Sequence, residues 1–380
     1  MRILHCCLSC FYIDDFTYQE NLLTQQNAKD GHEVKIIAST ETFINSELGY
    51  VKPSKYMTKE GIEVTRIPYR KIFPHLIAKK IRSYPNVYKM IEQFSPDVIL
   101  FHGVPAYELL TAVKYKKRNP KVKLYVDSHE DFHNSGTNFI SKQFLHKTFY
   151  RAIVQKTFPY IDKIFCINYE SIDFLKQMYG IPESLLEFYP LGGNVVEESV
   201  RDAKRKQIRE ELKLNPDDIL IVHSGKMDKR KRTEDLLEAF TEVTNEKLKL
   251  VLIGSMPNDV KENSMRLVSS DHRIRYLGWK SGEQLIDYLY ACDLYLQPGT
   301  QSATMQNALC CGSAAALYPY PSHKYLLGDS VFYVESTQDM RKLFEEITDK
   351  PYLIENKRAK ASKIAKEVLD YKVLASRLYK

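Results

Sequence analysis

Short apolar runs alternate with helical stretches along most of the chain, and this alternation starts twice. The first series of apolar runs covers residues 2–8, 32–38, 97–101, 122–126 and 163–167. The second series covers residues 219–223, 248–253, 273–277 and 293–297. Apolar runs separated by helices are typical of a parallel sheet that is covered by helices on both faces. The pattern predicts an α/β protein with two doubly wound, Rossmann-like domains.

The break between the two series lies near residue 190. We therefore predict a first domain of residues 1–190 and a second domain of residues 191–365. The helical pattern at the end of the chain begins near Lys357, and we expect its last part, residues 366–380, to pack back toward the first domain. Ligands of doubly wound sheets bind at the carboxyl ends of the strands, so we expect the two domains to face each other across a shared cleft.

The composition is that of a globular protein, with 44% hydrophobic and 27% charged residues in a chain of 380. No run of eighteen apolar residues occurs, so we expect no transmembrane helix, and the first residues turn acidic too early for a signal peptide. Seven cysteines, an odd number, indicate a reducing cytoplasm. Cys7 and Cys10 have the spacing of a redox or metal pair, but we expect them to belong to a buried strand and its loop.

The net charge of +7 is not spread evenly over the chain. Residues 70–91 hold six basic side chains and no acid, and residues 139–163 hold five basic side chains, one acid and six aromatic rings. Such segments suit an anionic membrane surface, and they equally suit amphipathic helices with a solvated basic face. Both interpretations stay open. No nucleic-acid-binding motif accompanies the charge, so we predict no nucleic-acid partner.

Residues 294–323 contain no charged side chain, although more than a quarter of the whole chain is charged. Within this stretch, polar side chains fill one turn and a half of a predicted helix: Thr300, Gln301, Ser302, Thr304, Gln306 and Asn307. Plain burial explains missing charges but not clustered polar groups, which need partners when they are buried. We therefore favour a polar ligand at this stretch over a buried core.

The same stretch has the local signals of a strand, a turn and a helix. We predict a strand that ends at Gln297, a turn at residues 298–299, and a helix that is capped by Thr300 or Ser302 and ended by Gly312. Free N–H groups in the first turn of such a helix bind phosphate.

A cationic loop follows the first strand of the second domain. Gly225 stands at its turn, Lys226 comes next, and four basic residues, 229–232, precede a helix. Cations at a helix N-terminus oppose the helix dipole, which is tolerable when an anion is bound between them. A solvated basic loop is the alternative for Lys229 and Arg232.

Several of these segments resemble the GT-B glycosyltransferases, specifically the large retaining family 4. GKMDKRKRTEDLLEAF, residues 225–240, is similar to the family's donor-site element, and YGIPESLLEFYPLGGNV, residues 179–195, is similar to the end of its first domain. The resemblance covers the whole chain and is strongest in the second half. It implies that Lys226 and Lys231 neutralise the diphosphate of the donor.

The resemblance also implies a set of donor-binding residues: Gly225, Gln301, Ser302, Ala303, Thr304 and Asn307. The family's acidic pair, Glu-x7-Glu, is absent from this loop. Asn307 takes the place of the second acid, which would contact the nucleotide ribose. The first place falls on Gln301 by context and on Gly299 by ungapped count. After the first strand, Asp14 and Asp15 stand where the family has a glycine pair, and we assign both to the acceptor side.

The string DSHEDFH, residues 127–133, contains the His-Glu-x-x-His signature of zinc proteases. That signature works on a helix, whereas these residues follow a predicted strand and lie in a loop, so we expect no metal site. In the glycosyltransferase interpretation His129 matches a histidine that faces the donor sugar. Glu130 would orient it or meet the acceptor, and His102 and His133 would be ordinary loop histidines.

The sequence therefore predicts a retaining glycosyltransferase that moves a sugar from a UDP- or GDP-linked donor to a hydroxyl acceptor, with no metal ion. The catalytic residues would be His129, Lys226 and Lys231. We expect a lipid-linked glycan of cell-surface polysaccharide synthesis as the acceptor. The expected location is the cytoplasm, with the inner face of the plasma membrane as a peripheral site.

Three other functions compete with this prediction. A nucleotide-sugar epimerase shares the two-domain fold but needs no acceptor. A non-catalytic partner subunit would account for the missing acids. A dehydrogenase would need a glycine-rich fingerprint after Leu8, and the sequence has none.

Overall fold

A computed structural model describes residues 1–44, 47–72, 74–132, 134–135 and 141–380. The chain forms two compact domains. The first domain consists of Met1–Pro190 together with Leu374–Lys380, and the second domain consists of Leu191–Val373.

The first domain is built on a parallel sheet with one antiparallel edge strand. Its strands, in chain order, are β1 (Arg2–Cys7), β2 (Glu33–Ser39), β3 (Glu41–Ile44), β4 (Glu47–Tyr50), β5 (Ser54–Met57), β6 (Glu63–Ile67), β7 (Val98–His102), β8 (Lys123–Ser128), β9 (Lys163–Cys166) and β10 (Leu186–Phe188). The order across the sheet is β10-β9-β8-β7-β1-β2-β6-β5. The edge strand β5 pairs antiparallel with β6, and β3 and β4 form a separate hairpin.

Helices connect these strands and cover both faces of the sheet. They are α1 (Gln19–Lys29), α2 (His75–Ile81), α3 (Val87–Phe94), α4 (Leu109–Arg118), α5 (Arg151–Thr157) and α6 (Tyr169–Phe174). Two π-helical segments, Ser141–Tyr150 and Leu175–Tyr179, and two 3-10 turns, Phe158–Tyr160 and Glu183–Leu185, complete the set.

The second domain repeats the design with a fully parallel sheet. Its strands are β11 (Ile219–Lys226), β12 (Leu248–Ser255), β13 (Ile274–Tyr276), β14 (Leu294–Gln297), β15 (Ala314–Leu317) and β16 (Phe332–Tyr333). Their order is β13-β12-β11-β14-β15-β16. The helices are α7 (Glu198–Glu211), α8 (Thr233–Glu242), α9 (Asn258–Ser270), α10 (Gly282–Ala291), α11 (Thr304–Cys310), α12 (Pro321–Leu327), α13 (Thr337–Asp349) and α14 (Tyr352–Ile364).

Both sheets have apolar clusters packed against their two faces. Successive side chains of a strand point to opposite sides, so one strand contributes to both clusters. On β11, Leu220 and Val222 join one apolar cluster, whereas Ile219 and Ile221 join the cluster on the other face. A fully buried side chain of this size contributes about 1.5–3 kcal/mol. The predicted α/β architecture of two doubly wound domains is confirmed, and in the described residues no helix is long and apolar enough to cross a membrane.

The end of the chain differs from the single helix that we predicted from Lys357 onward. Helix α14 starts earlier, at Tyr352, and continues as a π-helical segment to Leu369. The chain then leaves the helix at Asp370, with a ψ of 128°, because Leu369 and Tyr371 hydrogen-bond the backbone of Gly193. Beyond this break come α15 (Tyr371–Ser376) and a 3-10 turn, Arg377–Tyr379.

Residues Leu374–Lys380 belong to the first domain. The hydroxyl of Tyr189 donates to the carbonyl of Leu374 at 2.7 Å, and the guanidinium of Arg377 donates to Glu187 and to the carbonyl of Phe188. Ion pairing and side-chain hydrogen bonds thus fasten the end of the chain to the strand β10 region.

Candidate active site

Asp127 lies near the end of β8 and is 1% exposed. Its carboxylate accepts the backbone N–H of Gly103 at 2.9 Å and contacts Nδ1 of His102 at 2.5 Å. Nε2 of His129 lies 3.9 Å from the same carboxylate. Burial alone would raise the pKa of Asp127, but the charge and the hydrogen bond of His102 hold that pKa well below its usual range. Asp127 is therefore an ionised carboxylate in the interior.

His102, at the end of β7, is fully buried. Burial lowers the pKa of an imidazole, but here the Asp127 carboxylate outweighs burial and raises the pKa of His102 to about 10. The two side chains form a buried ion pair at neutral pH. His102 is thus not the ordinary loop histidine that we predicted, because it ends a buried strand beside a carboxylate.

His129 lies in the loop after β8, as predicted. Its side chain is 37% exposed, while its Nε2 atom is buried and faces Asp127. Burial lowers the pKa of His129, but the nearby Asp127 carboxylate outweighs burial and gives a net increase. The amide of Asn134 donates to the carbonyl of His129 at 2.8 Å and fixes the loop. The exposed edge of the ring remains accessible to a ligand.

Glu130 follows directly and has an unusual environment. Burial raises its pKa to about 7, although Arg82 favours the charged form. Its Oε2 atom is buried and has no hydrogen-bond partner within the described ranges. A carboxyl group that titrates near neutrality can accept or release a proton during a reaction.

Arg82 does not lie on the basic surface that the charge pattern of residues 70–91 indicated. Its backbone adopts a left-handed conformation, with a φ of 56°, at the end of α2. The guanidinium therefore turns inward and donates to the carbonyl and the hydroxyl of Ser9.

Asp14 and Asp15 lie in the loop after β1. Asp14 forms an ion pair with the buried Arg66 at 2.8 Å and accepts a hydrogen bond from Tyr56 at 2.5 Å. Asp15 is exposed, with a left-handed φ of 60°. The structure thus ties Asp14 to strands β5 and β6, whereas Glu130 lies near Arg82.

In the second domain, Lys226 and Lys231 flank the turn after β11. Lys226 is exposed, whereas Lys231 is 7% exposed. Burial lowers the pKa of Lys231 to about 8, with Asp228 acting against this shift and Arg230 adding to it. Gly225 has a φ of 119°, and a Cβ at this position would lie 3.5 Å from Cε of Lys231.

The cationic loop and the uncharged stretch meet at Gly299. A Cβ on this glycine would lie 2.1 Å from the carbonyl oxygen of Arg230, so only glycine permits the observed approach. The N–H of Thr300 donates to the same carbonyl at 3.0 Å. Nζ of Lys231 donates to the carbonyl of Thr300 at 3.3 Å. Two segments that the sequence marked separately therefore form one site.

The other predicted donor-binding residues follow in the same loop. Gln301, Ser302, Ala303 and Thr304 are half-buried, and the hydroxyl of Ser302 accepts the N–H of Thr304 at 3.3 Å where α11 begins. The N-cap of α11 is Ala303, without a side-chain cap hydrogen bond, so neither of the two predicted caps, Thr300 and Ser302, has that role.

Asn307 lies one turn further along α11 and is 7% exposed. Its amide donates to the carbonyl of Ala303 at 3.4 Å. A Cβ on Gly193 would lie 2.9 Å from its Oδ1, so Asn307 packs closely against the glycine pair that opens the second domain.

Two glycosyltransferase families match consecutive parts of the sequence. The family Glycosyltransferase Family 4 matches residues 20–194, and the family Glycosyl transferases group 1 matches residues 204–368. No curated protein is similar enough in sequence to match the chain.

Solved structures with the same fold are similar over nearly the whole chain. A glycosyltransferase from Rickettsia africae has a TM-score of 0.72 at 14% identity, covering 99% of this chain and 96% of its own. Anabaena HepE in complex with UDP and glucose has a TM-score of 0.66 at 14% identity, covering 100% and 98%. WaaG, involved in lipopolysaccharide biosynthesis, has a TM-score of 0.67 at 13% identity, covering 99% and 98%.

This chain is a glycosyltransferase of the GT-B type. The boundary between the two family matches lies between the two sheets of this glycosyltransferase. The His-Glu-x-x-His string has no helical context here, since Asp127 and Ser128 end a strand and the loop follows. His133 lies outside the described residues, and in the residues that are described no group of three potential metal ligands occurs.

The sequence did not point to the buried part of the glycosyltransferase's first site. His5, His102 and Asp127 lie inside or at the end of buried strands, and Arg82 was assigned to the surface. A signal was present, since a histidine within the apolar run RILHCC needs a buried partner. The sequence alone did not identify that partner.

Proposed function

We propose that this glycosyltransferase moves a sugar from a UDP- or GDP-linked donor to a hydroxyl acceptor, with retention at the anomeric carbon and without a metal ion. The observation that carries the proposal is the junction in the second domain, where buried Lys231 meets the carbonyl of Thr300. Exposed Lys226 lies at the end of the same strand, β11. The two ammonium groups suit the two phosphates of a nucleoside diphosphate.

The chemistry explains why buried cations are needed. The diphosphate gathers negative charge as it leaves the sugar, and preorganised positive groups stabilise that charge most strongly where water is excluded. Burial has lowered the pKa of Lys231 to about 8, and a bound phosphate would raise it again. Backbone N–H groups at Ser302 and Ala303 would add donors, and Asn307 would contact the ribose.

In the first domain, His129 is our choice for the direct contact with the reacting sugar. The buried Nε2 of its ring lies 3.9 Å from the Asp127 carboxylate, while the side chain as a whole is 37% exposed. Glu130, with a pKa of about 7, would exchange a proton with the acceptor hydroxyl, and Asp14 and Asp15 would contact the acceptor further along the β1 loop.

A screen of nucleotides tests the donor proposal. We expect UDP or GDP to raise the thermal transition and to bind in isothermal titration, equally well with and without EDTA. Lys231→Met should weaken transfer by about 100-fold to 1,000-fold. Lys229→Met, which removes an exposed lysine of the same loop, is the control and should have little effect.

Each alternative function predicts a different result in this screen. Binding without transfer from any donor would favour a non-catalytic subunit, to which the missing acids point, one at Asn307 and the other at Gln301 or Gly299. Consumption of the nucleotide-sugar without an acceptor would favour an epimerase. Binding that depends on a divalent ion would contradict the metal-independent proposal.

The acceptor that we propose is a lipid-linked glycan, met at the cytoplasmic face of an anionic membrane. WaaG, which shares the fold, is involved in lipopolysaccharide biosynthesis. All seven cysteines are free thiols, as a reducing cytoplasm requires. The buried Cys7 and the half-buried Cys10 fit our expectation of a strand and its loop.

The membrane-contacting surface would lie on α2 and the residues before it. Ile72 is 71% exposed and Leu76 is 80% exposed, and the exposed Lys71 and Lys80 lie beside them. Lys79 is less suited, because it forms an ion pair with Glu41 at 2.7 Å.

A cleft of about 580 Å³ adjoins this surface. Its lining includes apolar and basic side chains: Arg70, Ile72, Ile81, Tyr107, Lys114 and Phe149. The second basic segment contributes Phe149 to the cleft, whereas its first residue, Phe139, lies outside the described residues.

Vesicle sedimentation tests the membrane proposal. Each basic residue near an anionic surface contributes about 1 kcal/mol, so Lys71→Glu with Lys80→Glu should weaken binding to phosphatidylglycerol vesicles by at least about tenfold. The control is Lys261→Glu with Lys350→Glu, which reverses two exposed charges in the second domain. Unchanged sedimentation of the α2 variant would contradict the proposal and leave the donor chemistry untouched.

A further inference from the structure

A chain of side-chain hydrogen bonds starts at the surface of the first domain. The hydroxyl of Tyr379 donates to Oδ2 of Asp30 at 2.7 Å. The same hydroxyl accepts from Nδ2 of Asn27 at 2.8 Å. Oδ1 of Asn27 then lies 2.8 Å from Nε2 of His5, in the middle of β1.

The chain continues through the interior to the loop that carries His129. Nδ1 of His5 lies 3.0 Å from Nε2 of His102, and Nδ1 of His102 lies 2.5 Å from Asp127. Asp127 in turn lies 3.9 Å from His129. The middle of this hydrogen-bond chain is inaccessible to solvent, since Asn27, His5 and His102 are each 0% exposed.

The direction of each hydrogen bond follows from the surface end. An ionised carboxylate only accepts, so Tyr379 must donate to Asp30, and its oxygen must accept from the Asn27 amide nitrogen. This fixes the Asn27 carbonyl oxygen toward His5. Nε2 of His5 must therefore carry a proton and donate it.

The buried end imposes the opposite direction. Asp127 also only accepts, so Nδ1 of His102 must carry a proton. One proton lies on Nε2 of His5, one lies on Nδ1 of His102, and the hydrogen bond between the two rings needs a third. Two neutral imidazoles carry only two such protons, so the pair has one positive charge. That charge lies on His102, next to the carboxylate, whereas the pKa of His5 is lowered to about 3 by burial and by His102.

We propose that Tyr379 is a positioning residue for the transfer reaction: its hydroxyl fixes the Asn27 amide and thereby keeps His102 doubly protonated against Asp127. Through this ion pair the last turn of the chain orients Asp127 beneath His129. The inference rests on the proposed function only for the role of His129, because the protonation of His102 can be measured without any activity.

Removal of the hydroxyl would release the constraint. Without it the Asn27 amide can rotate and donate to Nε2 of His5, which then carries its proton on Nδ1. His5 would donate to Nε2 of His102, and His102 would keep only its Nδ1 proton. This reversed chain holds one proton fewer, which is lost to solvent, and His102 becomes neutral.

Other charged groups near the chain set the pH range of this change. Besides Asp127 and His5, Cys7 on β1 and Glu20 on α1 interact electrostatically with His102, and both raise its pKa. Beside Tyr379, the ring of His32 packs edge-on with centroids 4.3 Å apart. In the hydrogen bonds described above, Nδ2 of Asn27 donates to the Tyr379 hydroxyl and to none of these groups.

The experiment is ¹⁵N spectroscopy of the histidine rings in the full-length protein, with His102 assigned by comparison with His102→Gln. In the wild type at pH 8 both nitrogens of His102 should be protonated. In Tyr379→Phe one of them should be deprotonated at pH 8, which requires the pKa of His102 to decrease from about 10 by more than about two units. Tyr125→Phe is the control, because Tyr125 donates to the Lys380 carbonyl at 3.0 Å and fastens the same segment outside the chain.

Kinetics give the second readout. Tyr379→Phe should lower kcat about threefold to tenfold with the donor KM unchanged, and should move the alkaline limb of kcat to lower pH, whereas Tyr125→Phe should do neither. A singly protonated His102 in the wild type, or a Tyr379→Phe spectrum equal to that of the wild type, would overturn the inference. Absence of transfer in the wild type, with the expected spectra, would contradict the proposed function and not the hydrogen-bond chain.

Discussion

The first central strand of each sheet carries a buried histidine, His5 on β1 and His223 on β11, and the two have different partners. His5 contacts a second histidine on the neighbouring strand β7. His223 donates from Nδ1 to the carbonyl of Leu296 on the neighbouring strand β14 at 2.8 Å, and its Nε2 accepts the hydroxyl of Thr233 at 2.9 Å. Burial lowers the pKa of both, to about 3 and about 4.

The difference continues at the carboxyl edges of the two sheets. In the first domain the edge carries an ionised Asp127, an imidazolium and a carboxyl group, Glu130, with a pKa near 7. In the second domain the edge carries Lys226 and Lys231 beside a loop without charged side chains. One fold therefore supports two kinds of chemistry. In our proposal the first edge exchanges protons, and the second edge holds a phosphate.

The largest effect should follow from Asp127→Asn, which removes the buried carboxylate from the carboxyl edge of the first sheet. The buried imidazolium of His102 loses its partner, so we expect a loss of about 3–5 kcal/mol in the free energy of unfolding. Denaturant titration measures this loss. Glu183→Gln is the control in the same domain, since Glu183 is 75% exposed and pairs with exposed Lys176, and it should leave the midpoint unchanged.

The pH dependence of this loss can be derived from the two pKa shifts. The raised pKa of His102 stabilises the fold fully below its usual value of 6.5, and this contribution is lost as the pH rises toward about 10. The lowered pKa of Asp127 stabilises the fold above its usual value of 3.8. The difference between wild type and Asp127→Asn should therefore be largest between these two usual values and narrow toward pH 10. A difference independent of pH would contradict the buried ion pair.

The sequence predicted the second edge better than the first for a physical reason. The donor loops are each continuous in sequence, so missing charges at residues 294–323 and clustered cations at residues 229–232 were visible directly. The chain from Tyr379 to Asp127 joins five segments that are far apart, and periodicity shows that His5 is buried without showing its partner. The inward turn of Arg82 depends on one left-handed residue, which the pattern of basic residues does not indicate.

The next largest effect should come from Gly299→Ala, which tests the junction at the second edge. The new Cβ would lie 2.1 Å from the carbonyl oxygen of Arg230, so the loop must shift, at a cost of about 1–3 kcal/mol. The shift also moves Lys231, and we expect weaker binding of nucleoside diphosphate in isothermal titration. Gly278→Ala is the matched control, because its new Cβ would lie in open space and displace no neighbour. Its φ of 69° still makes the substitution unfavourable, by about 1–2 kcal/mol. It should lower the melting temperature without changing nucleotide affinity, and equal losses of affinity in both variants would refute a specific junction.

The smallest effect concerns the pH dependence of donor binding at the second edge. The pKa of Lys231 is lowered to about 8 in the free protein, and a bound diphosphate favours the charged ammonium. Affinity for UDP or GDP should therefore decrease as the pH rises through about 8, by at most about tenfold per pH unit. Lys231→Met should bind more weakly and lose this dependence, whereas Asp127→Asn should keep it, because its charge belongs to the other edge. If Asp127→Asn abolished the alkaline decrease, the division of proton exchange and phosphate binding between the two edges would fail.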